Sequence, residues 1–144
     1  MKRRCPGSTY IGTALLSKWK WIINSAGYAN VIPSQDDIVY GMIYTLTADD
    51  EIKLDGFEGV PHDYHKRVLP VKFFGREDPS ATDEGKIIQA LVYTDVERLN
   101  EGPPRTEYIY RINQAVKDAI QEGIPKEYFE KYFRRFIPAE EIKN

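Results

Sequence analysis

The chain has 144 residues, room for one domain with a real core and not for two comfortable ones. A content of 42% hydrophobic and 12% aromatic residues reads as a folded globule rather than a disordered chain. Lysine and arginine number 20 against 22 acids, a net charge of −2, so electrostatics gives no reason to expect nucleic acid or an anionic membrane as partner.

The basic start Lys2-Arg3-Arg4 is too short to alter that balance. Cys5 is the one cysteine, so no internal disulfide forms, which fits a reducing compartment. No run has the apolar length of a membrane span, and Pro6 and Gly7 interrupt the N-terminus before a signal-peptide core; the expectation is cytoplasmic.

In chain order, "STYIGTALL" and "SKWKWIIN" read as two adjacent strands. In the second, Trp19, Trp21 and Ile23 share one face and Lys18 and Lys20 the other. "GYANVIPS", broken by Gly27 and Pro33, is a short strand or loop, and "DIVYGMIYTL" a buried strand in which Gly41 leaves room for something to approach its backbone. Thr47 with Asp50 three residues on is a capping-box-like start, with Asp for the usual Glu or Gln. That helix runs to about Glu58, with Gly59 at its left-handed end. "YHKRVLPVKFF" is the next strand, with Pro70 weakening its middle or placing it at an edge. "GREDPSATDEG" is a polar loop and "KIIQALVYT" a further strand.

After Pro103-Pro104 the pattern changes. Apolar residues recur at Tyr108, Ile109, Ile112, Val116, Ala119 and Ile120, the spacing of an amphipathic helix that Gly123 stops. Pro125 opens a second helix, with Tyr128, Phe129, Tyr132, Phe133 and Phe136 along one side. This order predicts one α+β domain over residues 1–144, a curved sheet or small barrel covered by helices.

Glu58 is the first candidate site. By frequency a helix-end glutamate is a solvated surface residue. Two points pull the other way: four residues after Leu54 it shares that core residue's helix face, and a carboxylate is mismatched to the negative end of the macrodipole. Both disfavour the charged form and would raise the pKa toward that of a general base or acid. His62 and His65, three apart on a strand, point to opposite faces, and without further His or a Cys pair no metal site is expected. Cys5 lacks the partners of a nucleophile. No phosphate-cradling G-x-x-x-x-G-K and no G-x-S-x-G elbow occurs. The aromatic stripe from Tyr128 to Phe136 is more simply a helix packed on the sheet than a ligand cage.

Several stretches together resemble the γ-glutamylcyclotransferase family, particularly its fungal members. "MKRRCP" followed by "YIGTALLSKWKWIIN" looks like the helix and first hairpin after that family's substrate loop. "ANVIPSQDDIVYGMIYTLTADDEIKLDGFEGV" is similar to its central strand, helix and acid motif, and "GIPKEYFEKYFRRFIP" to the C-terminal segment of fungal members. The most specific element is L-D-x-x-E-G-V, and the likeness covers nearly the whole chain.

The resemblance implies a γ-glutamylcyclotransferase-like α+β fold, a mixed β-barrel or curved sheet with flanking helices. It implies that the α-amino group of a γ-glutamyl amino acid or amide attacks its own γ-carbonyl, releasing 5-oxoproline and a free amino acid or amine. By position Glu58 is the family's acid/base, and Tyr64, Tyr93 and Tyr108 match substrate-pocket residues. A plain core-packing role is the alternative for the tyrosines. No cofactor or metal is expected. The partner is a small-molecule γ-glutamyl substrate, with room for a homodimer. The family begins with a strand and a Tyr-Gly-Ser-Asn loop that holds the glutamyl end, and no Gly-Ser-Asn occurs here. The expectation is therefore a missing first strand, from a gene model that starts late or a fragment with impaired binding. Two other readings stand beside the enzyme: a non-catalytic remnant or binding scaffold, and a cyclotransferase specific for γ-glutamylamines.

Overall fold

The computed structural model describes residues 6–58, 64–75 and 85–139. Cys5, Gly59, His62 and most of the polar loop before Gly85 lie outside them. The elements are β1 (Thr9–Ile23), β2 (Ala29–Thr45), α1 (Ala48–Glu58), β3 (His65–Gly75), β4 (Lys86–Thr94), α2 (Thr106–Gln121) and α3 (Lys126–Tyr132). The four strands form one antiparallel sheet in the order β2-β1-β3-β4, curved but not closed into a barrel among the described residues. This is the expected α+β architecture.

The sequence divides the first half into four short pieces, and the structure joins them into two long strands. The reason is a shift of register. Ser17 pairs with Ile38 and Trp19 with Pro33, so Lys18, at φ 69°, opposes residues 34–37. One extra residue in a strand moves every later side chain to the other face. Ala14 and Leu16 face the core before the shift and Trp21 and Ile23 after it, all within one buried cluster. Two apparent strands are thus one strand whose alternation changes phase.

The cluster is completed from the other layer by Val116 and Ala119 of α2 and by Ile124, Tyr128, Phe129, Tyr132, Phe133 and Ile137. Trp21 stacks on Phe133 at 3.7 Å between ring centroids. Each such large side chain taken from water contributes roughly 1.5–3 kcal/mol. Pro125 is the N-cap of α3 rather than its first residue, and α3 ends at Tyr132. Phe133 and Phe136 therefore reach the aromatic cluster from the turns beyond the helix.

Two further expectations concern single residues. A Cβ on Gly41 would meet nothing within 4 Å, so no close approach explains that glycine. The close approach is at Gly12, where a Cβ would fall 2.2 Å from the Phe74 carbonyl oxygen. Pro70 is accommodated as an edge residue: it pairs with Gln89 of β4, while β3 pairs with β1 only at Lys72 to Gly75, against Gly12 to Leu15. From that joined end β1 and β3 part company, and this fork positions the site.

Candidate active site

A cavity of about 730 Å³ opens among the ends of the forked strands and the start of α2. One side is the β1–β2 turn with Asn24, Ala26, Tyr28 and Ala29; a second is Phe57, Tyr64 and Tyr93; a third is Asp95, Arg98, Arg105, Glu107, Tyr108 and Arg111. Tyr64, Tyr93 and Tyr108, 44 positions apart from first to last, therefore share one cavity.

The turn is shaped by its own sequence. The buried Asn24 accepts hydrogen bonds at Oδ1 from the N–H groups of Ala26 (3.0 Å) and Tyr28 (3.2 Å), an Asx turn. Gly27, at φ 89°, takes a conformation costly for other residues, and a Cβ there would strike Arg105 Cγ at 2.7 Å.

Asp95, at the end of β4 and only 2% exposed, ties this turn to the third side. Its Oδ1 accepts from the N–H groups of Glu97 and Arg98, each at 3.0 Å, and its Oδ2 from Arg98 Nη1 at 2.9 Å and Asn24 Nδ2 at 3.4 Å. Asn30 makes a reciprocal pair with the Asp95 backbone: its Nδ2 donates to the carbonyl at 2.9 Å, and the Asp95 N–H donates to its Oδ1 at 2.9 Å. Burial acts to raise the Asp95 carboxyl, but the Arg98 guanidinium and the two N–H donors outweigh it and hold it below its ordinary value.

The tyrosines are held by their hydroxyls or rings. Tyr64 donates to the Ala29 carbonyl at 2.7 Å, across the fork from the start of β3 to the start of β2. Tyr93 donates to Asp55 Oδ1 on α1 at 2.7 Å, while Lys66 Nζ lies 2.9 Å from Asp55 Oδ2 and 3.2 Å from Glu51 Oε2. The Tyr93 hydroxyl and then Lys66 lower the Asp55 carboxyl; Asp55 and then Glu51 raise Lys66. Tyr108 packs edge-on against Tyr28, with centroids 5.7 Å apart.

Glu58 is the last residue of α1, one position past Phe57 on the cavity lining and three past Asp55. Its side chain lies outside the described part of the structure. The expected start of α1 is present: Thr47 Oγ1 accepts from the Asp50 N–H at 3.1 Å. Leu54 is buried, whereas Phe57 is 61% exposed. His65 is exposed at the start of β3. Among the described residues, no group of three or more His, Cys, Asp or Glu is gathered as a metal ion would require, and no helix is long and apolar enough to cross a membrane.

Sequence reasoning missed Asn24, Asn30, Asp55, Asp95, Arg98, Arg105 and Arg111. For some a signal existed. Asn24 stands three residues before a glycine, the pattern of an Asx turn, and Asp55 lies inside the L-D-x-x-E stretch. Arg111 carries no local mark: a cation on the polar face of a helix is ordinary.

Residues 38–132, more than half of the chain, match the family described as AIG2-like. No curated protein matches the chain in sequence. Two solved structures superpose with a TM-score of 0.73, each over 99% of this chain and 82% of its own: an uncharacterized protein from Homo sapiens, 24% identical, and a γ-glutamyl cyclotransferase, 23% identical. An AIG2-like protein from Mus musculus superposes at 0.52 with 21% identity, over 62% of this chain and 59% of that one. The chain belongs to the AIG2-like family and shares the fold of γ-glutamyl cyclotransferase.

Proposed function

We propose that the protein is a γ-glutamyl cyclotransferase that converts γ-glutamyl amino acids to 5-oxoproline and a free amino acid, with Glu58 as the proton carrier. One observation carries the reading. Tyr64 just before β3, Tyr93 of β4 and Tyr108 of α2 line the same cavity as Phe57, the neighbour of Glu58 at the end of α1.

The chemistry needs little else. The substrate's α-ammonium gives a proton to the Glu58 carboxylate, and its nitrogen then attacks the γ-carbonyl carbon. The C–N bond to the leaving amino acid breaks as the leaving nitrogen takes that proton from Glu58, and the ring nitrogen passes its second proton through the same carboxylate to the released amine. One carboxylate serves these transfers in sequence. Nucleophile and electrophile belong to one molecule, so the main work of the cavity is to hold the chain folded with its ends in reach. Phenol groups fixed on Ala29 and Asp55 suit that task, because a hydroxyl already anchored does not have to be ordered when substrate arrives.

The test is 5-oxoproline release from γ-glutamyl-L-alanine by the wild type, Glu58→Gln and Glu58→Ala. Both variants should lose about 10²–10⁴-fold in kcat with unchanged folding. Wild-type turnover in either variant would overturn the assignment, and no turnover by the wild type would leave a non-catalytic family member. A panel with γ-glutamyl-lysine and glutathione ranks the leaving groups.

A further inference from the structure

Among the described residues that line the cavity, the charges do not cancel locally. Asp95 is committed to Arg98, which leaves Arg105 and Arg111 against Glu107. Glu107 forms no ion pair with either arginine among the described residues.

Arg105 is also fixed in place. Its Nε donates to the Ala26 carbonyl at 3.0 Å, its N–H donates to the Gly27 carbonyl at 3.2 Å, and its guanidinium carbon lies 4.7 Å from the centre of the Tyr28 ring. Gly27 is the residue that lets the Arg105 stem lie so close. Although the side chain is exposed, a guanidinium with Nε tied and its carbon over an aromatic ring has given up part of its freedom before any ligand arrives. Its two Nη groups have no partner among the described residues. That is a preorganised fork of N–H donors, the shape that a carboxylate accepts in bidentate fashion. Arg111 adds a second positive charge on the same lining.

We propose that Arg105, supported by Arg111, is a specificity-determining residue that recognises a carboxylate of the substrate, so that the cavity selects γ-glutamyl compounds by a negative charge at that wall. The proposal rests on the cyclotransferase reading for its substrate but not for its binding chemistry. Two carboxylates qualify, that of the glutamyl α-carbon and that of the leaving amino acid.

The experiment uses the full chain and separates binding from turnover. Glutaryl-L-alanine lacks the α-amine and cannot cyclise, so calorimetry reports its affinity alone. Wild type should bind it, and Arg105→Met and Arg111→Gln should each weaken it by about tenfold or more, with Arg105→Lys in between. Replacing one carboxylate at a time by an amide, in glutaryl-L-alaninamide and in its counterpart amidated at the other end, identifies the partner. The amide at the recognised end should bind wild type weakly and be indifferent to Arg105→Met. Arg111 has no partner among the described residues, so Arg111→Gln guards against a folding loss confused with a binding loss. In turnover of γ-glutamyl-L-alanine, Arg105→Met should raise KM about tenfold with kcat within about threefold. Equal loss on all ligands, charged and amidated, would overturn the proposal, as would unchanged affinity in both variants. Failure of wild type to release 5-oxoproline while the calorimetric pattern holds would sink only the cyclotransferase reading.

Discussion

Two parts of the cavity wall, the β1–β2 turn joined to the segment after β4 and the side next to α1, are built in different ways. The β1–β2 turn and the segment after β4 are joined through buried groups: Asn24, Asn30 and Asp95 are 1–3% exposed and satisfy one another through backbone and side chain. The α1 side buries Leu54 and Asp50 but is otherwise held nearer the surface. Its polar contacts to β3 and β4 run through the part-buried Asp55–Tyr93 bond and the exposed Lys66 pairs with Asp55 and Glu51, and Ile52 and Phe57 are 69% and 61% exposed. A buried polar network is costly to break because each orphaned group loses both its partner and water, whereas surface ion pairs are screened and contribute little. The side carrying the fixed cation is therefore the stiff one, and the side carrying Glu58 is attached by weaker ties.

Substitutions can break or sharpen this contrast. Asp95→Ala removes the acceptor of four donors and leaves Arg98 without its carboxylate; it should cost about 3 kcal/mol. In thermal unfolding that is a fall of roughly 6–12 °C. A shift below about 2 °C would put the two sides on a par. The same group sets a pH dependence. Its folded-state pKa lies below 3.8, so its contribution is complete above that value and is lost as pH falls through the lower one. Between the two the unfolded chain binds more protons, and stability rises with pH. Wild-type Tm should drop as pH is lowered from about 5 to about 2, and the drop should be smaller in Asp95→Asn.

On the other side, Asp55→Ala should shift Tm by no more than about 2 °C yet lower 5-oxoproline release roughly tenfold, by freeing the Tyr93 hydroxyl and loosening the last turn of α1. Asp55→Asn keeps an acceptor for Tyr93 and should fall between. A large loss of Tm with activity retained would reverse the comparison. The smallest effect is expected at Gly41→Ala. With nothing within 4 Å of the added methyl, stability should rise by about 0.5 kcal/mol, read as a shift in the urea midpoint.

Much of the fold is legible from periodicity and punctuation. Thr47, Gly123 and Pro125 mark helix ends, and α2 follows its apolar spacing. The long strands are not legible as such. The Lys18 shift and residues 34–37 interrupt the alternation at matching places in both partners, so local pattern reads two breaks where cross-strand pairing makes one continuous ladder pair. The site divides similarly. The three tyrosines follow from the family likeness, and their convergence depends on strand order. Asn24, Asn30 and Asp95 were missed because each looks like an ordinary turn residue, and their link spans up to 71 positions. Arg105 gains its meaning from Gly27 and Tyr28, far away in the chain.

The fork between β1 and β3 has a consequence for how this family member can change. Paired strands keep a spacing of about 4.8 Å that no side chain can alter. Here that rule binds only at the Gly12 end, where the Phe74 carbonyl leaves no space even for a methyl group. At the mouth, β2 is tied by side chains to the residues flanking the other two strands, Ala29 to Tyr64 before β3 and Asn30 to Asp95 after β4. The width of the cavity mouth is thus written in residues that mutate one at a time, while the strand pairing behind them stays fixed.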